Sequence, residues 1–173
     1  MEILVVVDMQ NDFIDGALPA VGAMKALKNI QRKIKDFDGH IVCTMDSHDE
    51  EYLSTPEGKR LPIPHCIFGQ EGWKWPKSLE DALIAHGGFE TVMKDTFGTF
   101  QLADTVAQYK CKIHKITMVG ICTDICVVSN AIILKTAFPD IEICVDSSCC
   151  AGTSVEAHNA ALMTMKMCQI DVI

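Results

Sequence analysis

Three residue types in this 173-residue chain could together open a carbonyl group: a thiol at Cys126, a carboxylate at Asp8 and an amine at Lys94. A thiol attacks once a base takes its proton, and a nearby cation favours both the thiolate and the oxyanion that follows. Cys126 closes the stretch Gly120-Ile121-Cys122-Thr123-Asp124-Ile125-Cys126, where the apolar run 116–121 gives way to a helix-like segment over 123–134. A strand delivered directly onto a helix start leaves unpaired N–H groups that favour negative charge. The placement therefore predicts a thiolate-biased sulfur, since such thiols titrate at roughly 3.5–7.5 against about 8.5 for a free cysteine. Taken singly, each residue also has a plain structural role. Cys126 is one of nine cysteines, a residue type often simply buried, while Asp8 suits a turn cap and Lys94 a solvated surface.

The three residues can cooperate only if the fold gathers them across about 118 positions of chain. Residues 3–8 form a near-continuous aliphatic run, the pattern of a parallel strand covered on both faces, with Asp8 at its carboxyl end. Val21, Met24, Leu27, Ile30 and Ile34 recur at intervals of three and four, which predicts a helix over 20–36 with one apolar face. A strand over 41–45 follows. The stretch 46–76 then holds four of the six prolines and both tryptophans with little periodicity. Segments this long without regular structure are usually functional or disordered, and the aromatics favour an ordered one. Alternation resumes with a helix near 78–86, a strand at 90–93, a helix near 100–109, a strand at 115–121 feeding a helix over 124–137, and a strand at 141–145 feeding a helix over 154–167. Val172-Ile173 makes a last short strand. This order predicts one domain over 1–173, a three-layer α/β/α fold with a mainly parallel, six-stranded Rossmann-like sheet. Ligands of such sheets lie outside the carboxyl ends of the strands, near the point where strand order reverses. That rule selects Asp8, Asp46, Lys94 and the 120–126 elbow.

Composition excludes several classes. A net charge of -8 disfavours nucleic acid and anionic membranes, both of which reward clustered Lys and Arg. The apolar start carries Glu2 in place of a basic leader and ends at Asp8 without a small-residue cleavage site, so it reads as a strand and not a signal peptide. No apolar run reaches the about 18 residues of a membrane helix. An odd cysteine count without regular spacing suits a reducing interior. The expectation is a cytoplasmic protein acting on a small molecule, with a symmetric homo-oligomer as the common default for soluble chains.

The segments Asp8-Met9-Gln10-Asn11-Asp12-Phe13, Lys94 with Phe97-Gly98, and Gly120 to Cys126 occur in the order and at the spacing of the isochorismatase-like cysteine hydrolases, which the chain resembles over nearly its whole length. The resemblance implies Cys126 as nucleophile, Asp8 as base and Lys94 as supporting cation. It also implies a cis peptide between Ile121 and Cys122 that turns the backbone N–H groups of Cys122 and Cys126 into an oxyanion hole. The stretch Asp46-Ser47-His48, with Glu57 and His65-Cys66 beyond it, resembles the metal-binding loop of the nicotinamidases within that superfamily. It implies Asp46, His48, Glu57 and His65 as ligands of one divalent ion; two carboxylates and two imidazoles suit Zn, Fe or Mn better than a soft thiolate site would. Asp49, Glu50 and Glu51 compete with Glu57, and Cys66 is an alternative thiolate ligand whose commoner role is packing. The implied reaction is hydrolysis of nicotinamide to nicotinate and ammonia through a cysteine thioester, in NAD salvage, with pyrazinamide as a further substrate. Phe13, Phe68, Trp73 and Trp75 are candidate walls for the flat ring. Two alternatives stay open: another amide or carbamoyl hydrolase of the superfamily, which would not need the metal loop, and a catalytically silent binding or scaffold member.

Overall fold

Six runs rich in aliphatic and β-branched residues supply the sheet. In the computed structural model, which describes residues 1–173, they are β1 (Glu2–Val7), β2 (His40–Asp46), β3 (Glu90–Lys94), β4 (Lys115–Ile121), β5 (Glu142–Ala151) and β6 (Asp171–Val172). All neighbours pair in parallel, in the order β3-β2-β1-β4-β5-β6. Parallel strands need crossovers, which here are helical: α1 (Asn11–Ile14), α2 (Ala23–Asp36), α3 (Pro56–Arg60), α4 (Lys77–His86), α5 (Phe100–Ala107), α6 (Val128–Ala137) and α7 (Val155–Met167). Side chains alternate across a strand, so the central β1 feeds both layers. Ile3, Val5 and Val7 pack with Leu102, Val106 and Leu134 on one face, whereas Leu4 and Val6 join Leu27, Ile30 and Leu79 on the other. The expected three-layer, six-stranded architecture is thereby formed. No helix is long and apolar enough to cross a membrane.

Three elements differ from the expectation. In α2 the buried set is Ala23, Ala26, Leu27, Ile30 and Ile34, while Val21 and Met24 are half exposed. Alanines let the helix lie close on β5 and α4, and a phase judged from large side chains misses them. Strand β5 runs past Val145 to Ala151, because its partner shifts from Met118↔Val145 to Gly120↔Cys150; a bulge there absorbs polar residues that look like a strand end. The expected helix over 124–137 is divided. Thr123–Val127 forms a wider π-type turn, and only Val128–Ala137 is α-helical.

Strand order reverses between β1 and β4, where the two backbones lie close together. Gly120 adopts φ 127, and a Cβ on it would stand 2.1 Å from the Val7 carbonyl oxygen. Asp8, immediately beyond β1, has φ 48, a left-handed conformation uncommon for a residue with a side chain. The carboxyl ends of β1, β2, β3 and β4 therefore converge around this switch point.

Candidate active site

The end of each of these strands contributes one reactive group. Asp8 and Lys94 are buried, with Asp8 Oδ2 2.6 Å from Lys94 Nζ. That contact is ionic without the alignment of a hydrogen bond, and Oδ2 has no other partner. The other oxygen, Oδ1, accepts from Thr44 Oγ1 at 2.6 Å. Lys94 Nζ also reaches Cys126 Sγ at 3.5 Å and Asp46 Oδ1 at 3.3 Å. The fold thus gathers the three residues singled out by chemistry, with the ammonium in contact with both carboxylate and thiol.

The electrostatics correct one expectation. Cys126 is the fourth residue of its turn and buried, and its thiol lies well above its ordinary value. Burial is the main cause and the Asp8 carboxylate adds to it, while Lys94 opposes both. Burial thus moves the thiol in the direction opposite to the one that a helix start predicts. Burial also raises the Asp8 carboxyl, against the pull of Lys94. Burial works against the charge on Lys94, but Asp8, Cys126 and Asp46 outweigh it and hold the ammonium above its ordinary value. Cys122, pushed up to about 12 by burial and then by Asp124, has no hydrogen bond to Lys94. The Ile121–Cys122 peptide is cis.

Asp46 faces two ways. Its Oδ2 lies 3.1 Å from His48 Nε2 and 3.5 Å from His65 Nε2, and the ligand atoms of the three residues lie within 4.8 Å of one another. Donors about 2.0–2.2 Å from a tetrahedral ion stand about 3.3–3.6 Å apart, so the spacing fits a metal centre. His65 Nδ1 is 2.9 Å from the Ile63 carbonyl, which can only accept; the Nε2 of a neutral ring is then free to ligate. Burial pushes the Asp46 carboxyl up, but its contacts with His48 and His65 and the charge of Lys94 outweigh that and hold it below its ordinary value. Glu57 Oε1 is 3.9 Å from both histidine Nε2 atoms, outside the mutually close trio. Its competitors Asp49, Glu50 and Glu51 are exposed. Cys66 is buried and its backbone N–H donates to Asp12, in keeping with packing.

Three polar residues between Asp8 and Phe13 carry a role that residue type alone did not disclose. Gln10 is buried; its Oε1 accepts from the Asp46 N–H and its Nε2 donates to the Asp46 and Trp73 carbonyls, each at 2.8 Å. Asn11 donates from its N–H to Lys74 and from its side chain to Glu71, and the Asp12 N–H donates to Gly72. Asp12 Oδ2 accepts from Cys66 N–H at 2.7 Å. The 10–12 segment is a socket that orders the 46–76 stretch. The signal available was that three amide and carboxylate side chains follow a fully buried strand.

A cavity of ≈ 390 Å³ opens over Cys126, with Asp46, Glu57 and His65 on one side and Phe13 and Phe97 among its walls. Phe13 is placed as expected. Phe68, Trp73 and Trp75 are not on this wall. Phe68 is exposed and meets Trp73 edge-on, Trp73 Nε1 donates to Ser47, and Trp75 packs on Phe89. Both tryptophans flank a separate surface groove with Lys74 and Glu80. Phe97, Leu18, Ile125 and Thr153 are the walls that aromatic type alone did not predict.

A parallel α/β sheet with thiol, carboxylate and ammonium at its switch point defines a hydrolase. The chain belongs to the Isochorismatase domain family, whose model matches residues 2–173. It is 30% identical over 191 residues to the nicotinamidase/pyrazinamidase of Mycobacterium tuberculosis, covering 100% of this chain and 98% of that one. Among solved structures it is similar to nicotinamidase PncA from Bacillus subtilis, with a TM-score of 0.82, 26% identity and coverage of 99% and 98%. The pyrazinamidase/nicotinamidase of Streptococcus mutans gives a TM-score of 0.83 at 27% identity, over 100% of both chains.

Proposed function

We propose that this chain hydrolyses nicotinamide to nicotinate and ammonia through a thioester on Cys126, serving NAD salvage in the cytoplasm, with pyrazinamide as a second substrate. The observation that carries the reading is that Cys126, in contact with Lys94, opens into the same cavity as Asp46, Glu57 and His65, while the Asp46 carboxylate touches both Lys94 and the two histidines. The nine free cysteines support a reducing compartment.

The Cys126 thiol passes its proton to Asp8 as sulfur bonds to the carboxamide carbon and the carbonyl electron pair moves onto oxygen. Backbone N–H groups of Cys122 and Cys126 receive that oxyanion; one such donor is typically worth about 2.7–4 kcal/mol in the transition state. Asp8 returns the proton to nitrogen, the carbon–nitrogen bond breaks and ammonia leaves. Water then adds to the thioester, giving a proton to Asp8, which passes it to sulfur as the carbon–sulfur bond breaks; the thiol is restored and the acid leaves and ionises to nicotinate. Lys94 stays charged throughout and offsets the negative charge on Asp8, sulfur and oxygen in turn. Phe13 and Phe97 hold the ring. Asp46, His48 and His65, with Glu57 directly or through water, would hold one divalent ion (Zn, Fe or Mn), which when bound supplies a Lewis acid for the pyridine nitrogen and so orients the substrate.

The test is ammonia release from nicotinamide by the purified protein with Zn, Mn or Fe supplied. Turnover is expected for the parent and none for Cys126→Ala. A parent that releases no more ammonia than the variant overturns the reading.

A further inference from the structure

Asn130 is buried in the first turn of α6, and nothing in the reaction above uses it. Its carboxamide is nearly saturated. Nδ2 donates to the Cys126 carbonyl at 2.8 Å and to the Phe97 carbonyl at 3.1 Å, and Oδ1 accepts from the Thr99 N–H at 3.0 Å. One bond thus leads to the residue bearing the thiol and another to a cavity wall; the third fixes Thr99, whose side chain caps α5. Gly98 makes the same junction close. A Cβ there would meet Ile133 Cδ1 at 2.8 Å and Ser129 Cβ at 3.1 Å, so the backbone between Lys94 and α5 lies directly on α6. Phe97 is itself 48% exposed. Packing around its ring therefore does not set its position, and the backbone anchors must.

We propose that Asn130 is a positioning residue that registers the Phe97 wall against Cys126, so that a flat ring held by the wall presents its carboxamide to Sγ. The identity of that ring rests on the nicotinamide reading above. A buried polar network with its partners satisfied is rigid, and misplacing a reacting group by about 1 Å can cost roughly 10²-fold in rate. The device is separate from the donor set around Asp46: its hydrogen bonds go to Cys126, Phe97 and Thr99 and to none of Asp46, His48, Glu57 and His65.

The test is a double-mutant cycle between Asn130→Ala and Phe97→Ala with two readouts. One is kcat/KM for nicotinamide. The other needs no turnover: it is the ratio of Cys126 alkylation rates for 3-(bromoacetyl)pyridine, which carries the ring, and for iodoacetamide, which does not, with the labelled residue identified by mass spectrometry. Each single variant should lower the ratio and kcat/KM about tenfold, and the double variant should fall no further than either single one, because residues acting through one another are not additive. A purely structural Asn130 would give additive losses. That outcome, or a ratio that Asn130→Ala leaves unchanged, overturns the proposal. Should Asn130→Ala fail to fold by circular dichroism, Gly98→Ala, which crowds the same backbone against Ile133 Cδ1 and Ser129 Cβ, takes its place in the cycle, where it should again lower the alkylation ratio without adding to the loss from Phe97→Ala. A parent inert toward nicotinamide whose alkylation ratio still shows the non-additive pattern would refute the substrate and leave the positioning role standing.

Discussion

Replacing Thr44 by Val probes Asp8 without touching the thiol, the ammonium or the donor set. Thr44 is buried in β2 and donates to Asp8 Oδ1 at 2.6 Å; Val keeps the shape and removes the donor. The Asp8 carboxyl already lies above its ordinary value of 3.8, chiefly through burial, and the Thr44 bond is among the contacts that pull it back toward the charged form. A hydrogen bond to a charged group is worth about 1.5–3 kcal/mol, and about 1.36 kcal/mol corresponds to one pKa unit. Asp8 should therefore titrate about 1–2 units higher in the variant than in the parent. Since a base must be ionised in the free enzyme, the acid limb of kcat/KM should move up by that amount. The limb belongs to the interacting Asp8 and Cys126 pair and is an apparent value. Stability follows with a definite sign. Raising a folded-state carboxyl pKa favours the folded protein at acidic pH relative to neutral pH, so the variant's deficit of about 1.5–3 kcal/mol is full above both folded values. It narrows as pH falls through them, where Asp8 is neutral in parent and variant alike. Urea unfolding at neutral and acidic pH, beside pH-rate profiles, measures both quantities. An acid limb that stays in place, or moves down, in a folded variant would refute Asp8 as the base.

Other perturbations address the remaining contacts. The parent should bind one divalent ion per chain and melt at higher temperature with zinc present, whereas His65→Ala should lose both effects by elemental analysis and calorimetry; unchanged stoichiometry would remove His65 from the ligand set. Gln10→Met orphans the Asp46 N–H and the Asp46 and Trp73 carbonyls. At about 1–3 kcal/mol per unsatisfied group it should lower the unfolding free energy by at least about 3 kcal/mol in urea, and a smaller loss would mean the socket is not what orders the loop. Phe13→Leu keeps apolar bulk but loses a flat face worth about 0.5–1.5 kcal/mol. KM for nicotinamide should rise by about two- to tenfold with kcat little changed, and an unaltered KM would take Phe13 off the ring.

What could be foreseen from residues alone was decided by how local the physics is. Strands β1 and β4 announce themselves because a parallel strand buried on both faces must be apolar at successive positions, and Asp8 and Cys126 inherit their places from those strand ends. The donors Asp46, His48 and His65 were visible as residue types in one stretch. Phe68, Trp73 and Trp75 were not assignable, because an aromatic side chain in a long loop carries no mark of the direction it faces. That direction is set by the Gln10, Asn11 and Asp12 contacts, made more than 50 residues away in sequence. The upward direction at Cys126 was hidden for a related reason: a turn can be inferred from sequence order, but the depth of burial that pushes the thiol up is a property of the whole fold.

The socket formed by residues 10–12 makes this chain a two-part machine. Bond-breaking groups sit on the strand ends, whereas His48, Glu57, Leu61 and His65 arrive on one contiguous insert clipped to the frame largely through its backbone at Cys66, Glu71, Gly72, Trp73 and Lys74. Main-chain clips do not read the side chains of the segment they hold. Residues 47–65 therefore form a replaceable cassette: libraries confined to it, with Asp46 and the clip positions retained, are the direct route to amidases of the same thiol chemistry and altered ring preference.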